Sequence, residues 1–157
     1  MGRASIRVGL IGLVVVAGFS AYALAAPNRS MKRAFTQTLL GAQISMNRRS
    51  SEYAYKTTDS VYGNGATVDH ISTTGTAFPL SGTATSRTYF RSGVSISTST
   101  FKIFAANSNG IVTAAGSGKC IGGSGVHRNE RCRWTFTGTI DPKTKLAQFK
   151  VTGTYTR

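Results

Sequence analysis

From Tyr53 to the C-terminus, apolar and hydroxyl-bearing residues alternate with a period of two, and Gly or Asn interrupts the alternation. A period of two carried by Thr, Ser, Val, Ile and aromatic residues is the signature of β-strand. It predicts strands over 66–77, 79–90, 94–105, 111–115, 133–140 and 146–155. Turn signals separate them at Tyr62-Gly63-Asn64-Gly65, Arg91-Ser92-Gly93, Asn107-Ser108-Asn109-Gly110 and Asp141-Pro142-Lys143-Thr144. The last hairpin is the plainest. Trp134, Phe136 and Ile140 share one strand face, with Thr135, Thr137 and Thr139 on the other. On the return strand Phe149, Val151 and Tyr155 oppose Gln148, Lys150 and Thr152. One apolar face and one hydroxyl-rich face belong to an antiparallel sheet with a single buried side. Val94 and Ile96 have the opposite parity to Phe101 and Ile103, which predicts a bulge between them.

Glycine sits between two hydroxyls in Thr74-Gly75-Thr76, Ser81-Gly82-Thr83, Thr137-Gly138-Thr139 and Thr152-Gly153-Thr154. Glycine weakens a strand. Sharp bending of long strands in a small closed barrel is one reason to keep it there; the abundance of Gly and Thr is the plainer one.

The chain before Tyr53 has another texture. Arg3 and Arg7 precede an apolar run from Val8 to Phe19, and Ala23-Leu24-Ala25 offers small residues where a signal peptidase reads. This is the layout of a secretory signal over residues 1–25. The alternative, a single membrane anchor, fits less well because the apolar core is short. No Cys lies near the cleavage site, which argues against a lipoprotein. Residues 26–52 form a basic leader with Arg29, Lys32, Arg33, Arg48 and Arg49 and, up to Ser51, no acid. Phe35, Leu39, Ala42 and Met46 fall at helical spacing, so a short amphipathic helix over 31–46 is expected within it. Read functionally, the leader is a membrane-surface or partner-binding arm; read plainly, it joins the signal to the domain. The β domain is then 53–157.

Composition sharpens this picture. The chain has 157 residues, 40% of them hydrophobic and 10% aromatic, enough for one cored domain. It carries 19 Lys+Arg against 5 Asp+Glu, a formal charge of +14. Such a charge attracts anionic glycan, lipid or phosphate surfaces without choosing among them. So few acids also leave little for acid–base chemistry, which weighs against an enzyme.

The C-terminal third carries Gly122-Gly123-Ser124-Gly125, then Arg128 and Arg131, then Trp134-Thr-Phe-Thr-Gly-Thr-Ile-Asp-Pro-Lys-Thr, then Phe149-Lys-Val-Thr-Gly-Thr-Tyr155. This run resembles the end of the allene oxide cyclase/dirigent barrel group and the small secreted bacterial proteins related to it. It departs from that group after the Gly turn, where Val126 to Cys132 replaces an aromatic-x-Gly-Ala-x-Gly segment. The resemblance implies an all-β, calycin-like antiparallel barrel of about eight strands with an apolar interior. The group's catalytic acids match no position here, so no catalytic residue is carried across.

Two constellations remain. Cys120 and Cys132, the only cysteines, predict a disulfide in an exported chain. Closing so short a loop contributes about 3 kcal/mol. A zinc site with His127 is the rival, and it lacks the paired upstream cysteines. Lys119, Arg128, Arg131 and Arg133 flank that loop, with Trp134 beside them. They are the candidate ligand-binding residues, cations for an anionic glycan or phosphate and an indole for stacking; otherwise they form a solvated loop. Asp69 and His70, adjacent in a strand, face opposite ways and form no local dyad. No metal, cofactor or cellular nucleic-acid partner is expected.

The expectation is a secreted or periplasmic, non-enzymatic small barrel. It binds a small apolar ligand inside, or an anionic envelope component on its basic surface. The alternatives are a cyclase or isomerase acting on an apolar substrate within the barrel, and a structural or interaction protein of the envelope.

Overall fold

The computed structural model describes residues 31–157; the expected signal peptide and the first leader residues lie outside them. Eight strands follow one another in chain order: β1 (Lys32–Asn47), β2 (Ser50–Asp59), β3 (Gly63–Thr74), β4 (Leu80–Phe90), β5 (Gly93–Ile103), β6 (Val112–Gly123), β7 (Arg131–Asp141) and β8 (Leu146–Thr156). Each pairs antiparallel with its neighbours, and β1 pairs with β8 from Lys32↔Thr156 to Ala42↔Leu146, closing the barrel. Closure leaves the paired strands without an edge. A single 3₁₀ turn, Gly125–His127, lies between β6 and β7.

The leader expectation is overturned beyond Met31. Residues 32–47 and 50–52 are strand, not helix, and they belong to the barrel. The helical spacing misled for a simple reason. Residues four apart share a face in a strand as well as in a helix, and Phe35 and Leu39 are both buried on the inner face of β1. Thr36 and Thr38 favour the extended form, and Gly41 disfavours a helix. The decisive term is tertiary, because without β1 the barrel would expose two open edges.

Inward and outward residues alternate strictly along β4, where Gly82, Ala84, Ser86, Thr88 and Phe90 are buried between exposed neighbours. The outer surface carries mainly Thr, Ser, Lys and Arg, with Leu40, Tyr89, Ile121 and Leu146 among them, and most apolar side chains turn inward. The bulge expected within β5 is absent: β5 pairs with β4 without a register shift, and Val94 and Ile96 are not brought onto the face of Phe101 and Ile103. β5 alternates throughout, with Val94 and Ile96 on its outer side. The ladder slips between Ile96↔Gly122 and Ser97↔Cys120, so the extra residue is Ile121 of β6. β6 also runs much further than expected, because its glycines are strand residues rather than turn residues.

Those glycines have a packing role. Gly118 lies opposite Trp134, which lies opposite Gly153, which lies opposite Phe35. Gly116 stands between Phe101 and Phe136, and Gly138 faces Phe149. A ring inside a narrow cylinder must lie across the neighbouring strand, and only a residue without Cβ leaves it room. Gly82, Gly138 and Gly153 of the hydroxyl–Gly–hydroxyl triplets all serve in this way. Gly75 does not; it sits in the β3–β4 connection at φ +92°.

Two predictions follow from this packing. A Cβ at Gly153 would lie 2.6 Å from Trp134 Cβ and 2.8 Å from Phe35 Cε1. Gly153→Ala should cost about 1–3 kcal/mol in urea unfolding, the range for overpacking a core. The disulfide Cys120–Cys132 spans a separation of 12 residues across β6 and β7. Replacing both with Ser should cost about 3 kcal/mol. Near-UV circular dichroism should show rings loosened around residues 124–130 while the far-UV strand signal stays.

Candidate functional site

The barrel interior is divided by chemistry. On the β6–β8 side, with parts of β1, β2 and β5, it is lined by Phe35, Leu39, Phe101, Trp134, Phe136, Phe149 and Val151. The rings meet edge-on or tilted: Phe136 lies 5.5 Å from Phe149 and 5.8 Å from Trp134, centroid to centroid. On the β3–β5 side the lining is Thr67, Asp69, Ser86, Thr88, Ser95, Ser97 and Ser99. Between them remains a cavity of about 110 Å³, room for roughly four water molecules or a few-atom organic group. Trp134, Phe136 and Phe149 therefore fill one side of the barrel without plugging it.

Asp69 is the chemically exceptional residue of this cavity. It pairs in register with Tyr53 on β2 and Ser86 on β4. Its Oδ1 and the hydroxyl of Tyr55 are both buried with no hydrogen-bond partner. Burial raises the carboxyl of Asp69 to about 6, against smaller opposing effects from a hydrogen bond with Ser86 and the nearby His70. Burial, then the charge of Asp69, then Tyr53 hold the Tyr55 hydroxyl far above its ordinary range. Buried polar groups are normally paired, so two orphans facing one cavity mark a place where something else completes the bonding. By contrast, the neighbouring Thr57, Thr67 and Thr88 satisfy one another in a buried chain at 2.6 and 2.9 Å.

The end of the barrel at the start of β1 is sealed. The connection from β6 to β7 folds His127 inward to 1% exposure, and its Nδ1 lies 2.8 Å from Glu130 Oε2. Tyr62 donates to the other oxygen of Glu130, and Arg157 donates to Tyr62 Oη at 2.9 Å. The Tyr62 hydroxyl is pushed up to about 12, chiefly by burial and then by its bond to Glu130. Asp59, 3% exposed, accepts from the amides of Val61 and Tyr62 and from the Tyr155 hydroxyl. The rings of Tyr62 and Phe90 close over His127 at 4.4 and 5.5 Å. Cys120 and Cys132 lie directly beneath this cap, bonded to each other on the inner face. Both sulfurs are thereby taken, so the His127–Cys132 zinc alternative has no thiolate.

The sequence-predicted site divides. Lys119 and Arg133 are exposed partners on the outer wall, Arg131 lies on the same outer face of β7, and Arg128 is exposed in the cap connection. Trp134 turns its ring into the cavity under Gly118. The residue also lines, with Lys119 and Arg133, a broad open outer trough between Thr98, Thr100, Ser117, Thr135, Thr152 and Thr154. His70 points outward and pairs with Glu52 at 2.7 Å, away from Asp69. The interior role of Asp69 was half visible in the sequence. It is the one acid amid a run that alternates Thr67, Asp69, Ile71 on the core parity.

No family model, curated protein or solved structure matches the chain.

The elevated carboxyl has a sign that can be checked. Folding binds the Asp69 proton more tightly than the unfolded chain does, because 3.8 rises to about 6. That contribution is complete below about pH 4 and is lost as pH climbs through 6. Asp69→Asn should match the parent in urea unfolding near pH 4. At pH 8 it should be more stable by about 1–3 kcal/mol, discounted for the partly open side of the residue.

Proposed function

We propose that this barrel binds a small, mostly apolar molecule bearing one hydrogen-bond donor, such as a hydroxyl or amine. The apolar body packs against Phe101, Phe136 and Phe149, and the donor reaches Asp69 with Tyr55 beside it. The observation that carries this reading is the pair of unpartnered atoms, Asp69 Oδ1 and Tyr55 Oη, at one cavity. The aromatic wall supplies affinity by burial, and the carboxylate supplies selection, because a donor-free analogue would leave it unpaired. The resemblance to the allene oxide cyclase/dirigent group points to the same interior. A secreted or periplasmic setting agrees with a disulfide.

Native mass spectrometry of the exported protein tests this. A co-purified small mass is expected, and Asp69→Asn or Tyr55→Phe should retain it at least about tenfold more weakly, the usual penalty for losing a buried hydrogen bond to a charged group. A protein with no bound mass, or variants that hold it as tightly as the parent, would reject the reading.

A second reading draws on the same acid. A carboxyl near 6 beside a tyrosine is suited to move a proton at neutral pH, as a cyclase or isomerase of an apolar substrate requires. Conversion of the co-purified molecule to an isomer of equal mass would establish it. The rate should rise with pH through about 6 and vanish in Asp69→Asn; binding without conversion decides for the carrier.

A further inference from the structure

The two ends of the barrel differ. One is capped by His127 and Glu130. At the other, the cavity-lining residues Ser51, Ile71, Thr73, Ile103 and Ile140 are all partly exposed, so the interior opens there. Four connections surround that opening: 48–49, 75–79, 104–111 and 142–145.

Two of these connections and the end of β1 carry apolar side chains into solvent. Phe78 is 51% exposed, Phe104 44% and Met46 76%. None of them has a place in the core, and a monomeric soluble domain seldom leaves rings on loop tips around one opening. β1 and β2 also overhang this end, because β1 stops pairing with β8 at Ala42 but follows β2 on to Asn47.

The same rim is cationic. Arg48 and Arg49 form the turn at the tip of the overhang, and Lys143 and Lys145 lie in the β7–β8 turn, all exposed. The two acids nearby are engaged. Asp141 accepts from the amides of Lys143 and Thr144, and Glu52 pairs with His70 and accepts from Ser45. Cations also surround the capped end, among them Arg91, Arg128 and Arg131. There, however, the exposed Tyr89 and Ile121 stand on the strand walls, Met31 lies just before β1, and the apolar residue exposed on a connection is Val126. Loop-borne rings together with cations occur at the open rim.

We infer that the open rim, through Phe78, Phe104 and Met46 ringed by Arg48, Arg49 and the lysines of the β7–β8 turn, docks on an anionic lipid bilayer. Apolar tips enter the headgroup boundary while cations meet lipid phosphates, the two-part attachment used by interfacial proteins. An anionic polysaccharide would engage the cations and leave the rings in water, so the rings favour lipid. The pose would set the cavity mouth against the membrane, giving an apolar ligand a route between barrel and bilayer. That corollary rests on the interior-binding reading; the docking does not.

Hydrogen–deuterium exchange of the full chain tests it locally, with vesicles of phosphatidylcholine alone or with added phosphatidylglycerol. Phosphatidylglycerol should slow exchange at 75–79, 104–111 and 48–49 and leave 124–130 at the capped end unchanged. In vesicle partitioning, Phe78→Ser with Phe104→Ser, and separately Arg48→Ser with Arg49→Ser, should each weaken binding by roughly tenfold or more. Lys119→Ser with Arg133→Ser removes equal charge from the side wall and should leave partitioning near the parental value. All six residues are exposed, and unchanged thermal unfolding verifies the fold. Protection at 124–130 instead of the rim, equal loss in the wall variant, or rim protection by heparin but not by vesicles would overturn the proposal. Asp69→Asn should dock as the parent does, so failure of the interior reading and failure of the docking give different results.

Discussion

The inside of an eight-stranded barrel holds little more than its own side chains, and here that space must accept several aromatic rings at once. The solution is a pairing across strands. Trp134 lies between Gly118 and Gly153, Phe149 lies beside Gly138, and Phe101 beside Gly82 and Gly116. Each glycine gives up a side chain so that a ring on the next strand can lie over its backbone. The intrinsic weakness of glycine in a strand is offset by the apolar area the ring buries. Closure of β1 on β8, the outward threonines and the residual cavity all rest on this complementarity.

The pairing recurs around the cylinder, with Gly41 opposite Tyr55 and Gly65 opposite Phe90, but the middle of β3, β4 and β5 shows what happens without it. There Thr67, Asp69, Ser86, Ser97 and Ser99 point inward and are too small to fill the space. The cavity is therefore two-faced, and its one carboxylate sits at the junction with Tyr53 and Tyr55. Three of the five acids, Asp59, Asp69 and Glu130, are turned inside. The exterior is correspondingly more basic than the composition suggests, which links the buried polar chemistry to the surface field.

Much of the fold was legible because hairpin strands with one buried face write their alternation into the sequence. Trp134 to Ile140 and Phe149 to Tyr155 did so without ambiguity, and so did the turn at Asp141. Three strands were not legible, in whole or part, for definable reasons. No range is predicted for β2, because its start falls in the expected leader and its buried Tyr53, Tyr55 and Thr57 make only a short alternation. In β1 the spacing of Phe35 and Leu39 satisfies both periods, and pairing with β8 spans the whole domain. In β6 the glycines read as turns until their ring partners on β7 are known. The disulfide followed from cysteine count and compartment. The site was less accessible. The cation cluster stood out in the sequence by charge, yet its indole belongs to the other face of the wall. The cavity depends on Asp69, Tyr55 and the serines of β5, which come from three strands and share no local motif.

The seam between the first and last strands carries a consequence of its own. Lys32 lies opposite Thr156, and the amide of Arg157 reaches the carbonyl of Met31 at 3.4 Å. Every strand touches the one before and the one after, cyclically, so no hairpin is first or last in space. A short tether could join Met31 to Arg157, and new termini could be opened at the Arg91–Ser92 turn. The ladder of backbone bonds would be nearly unaltered, because this architecture is indifferent to where the polypeptide starts.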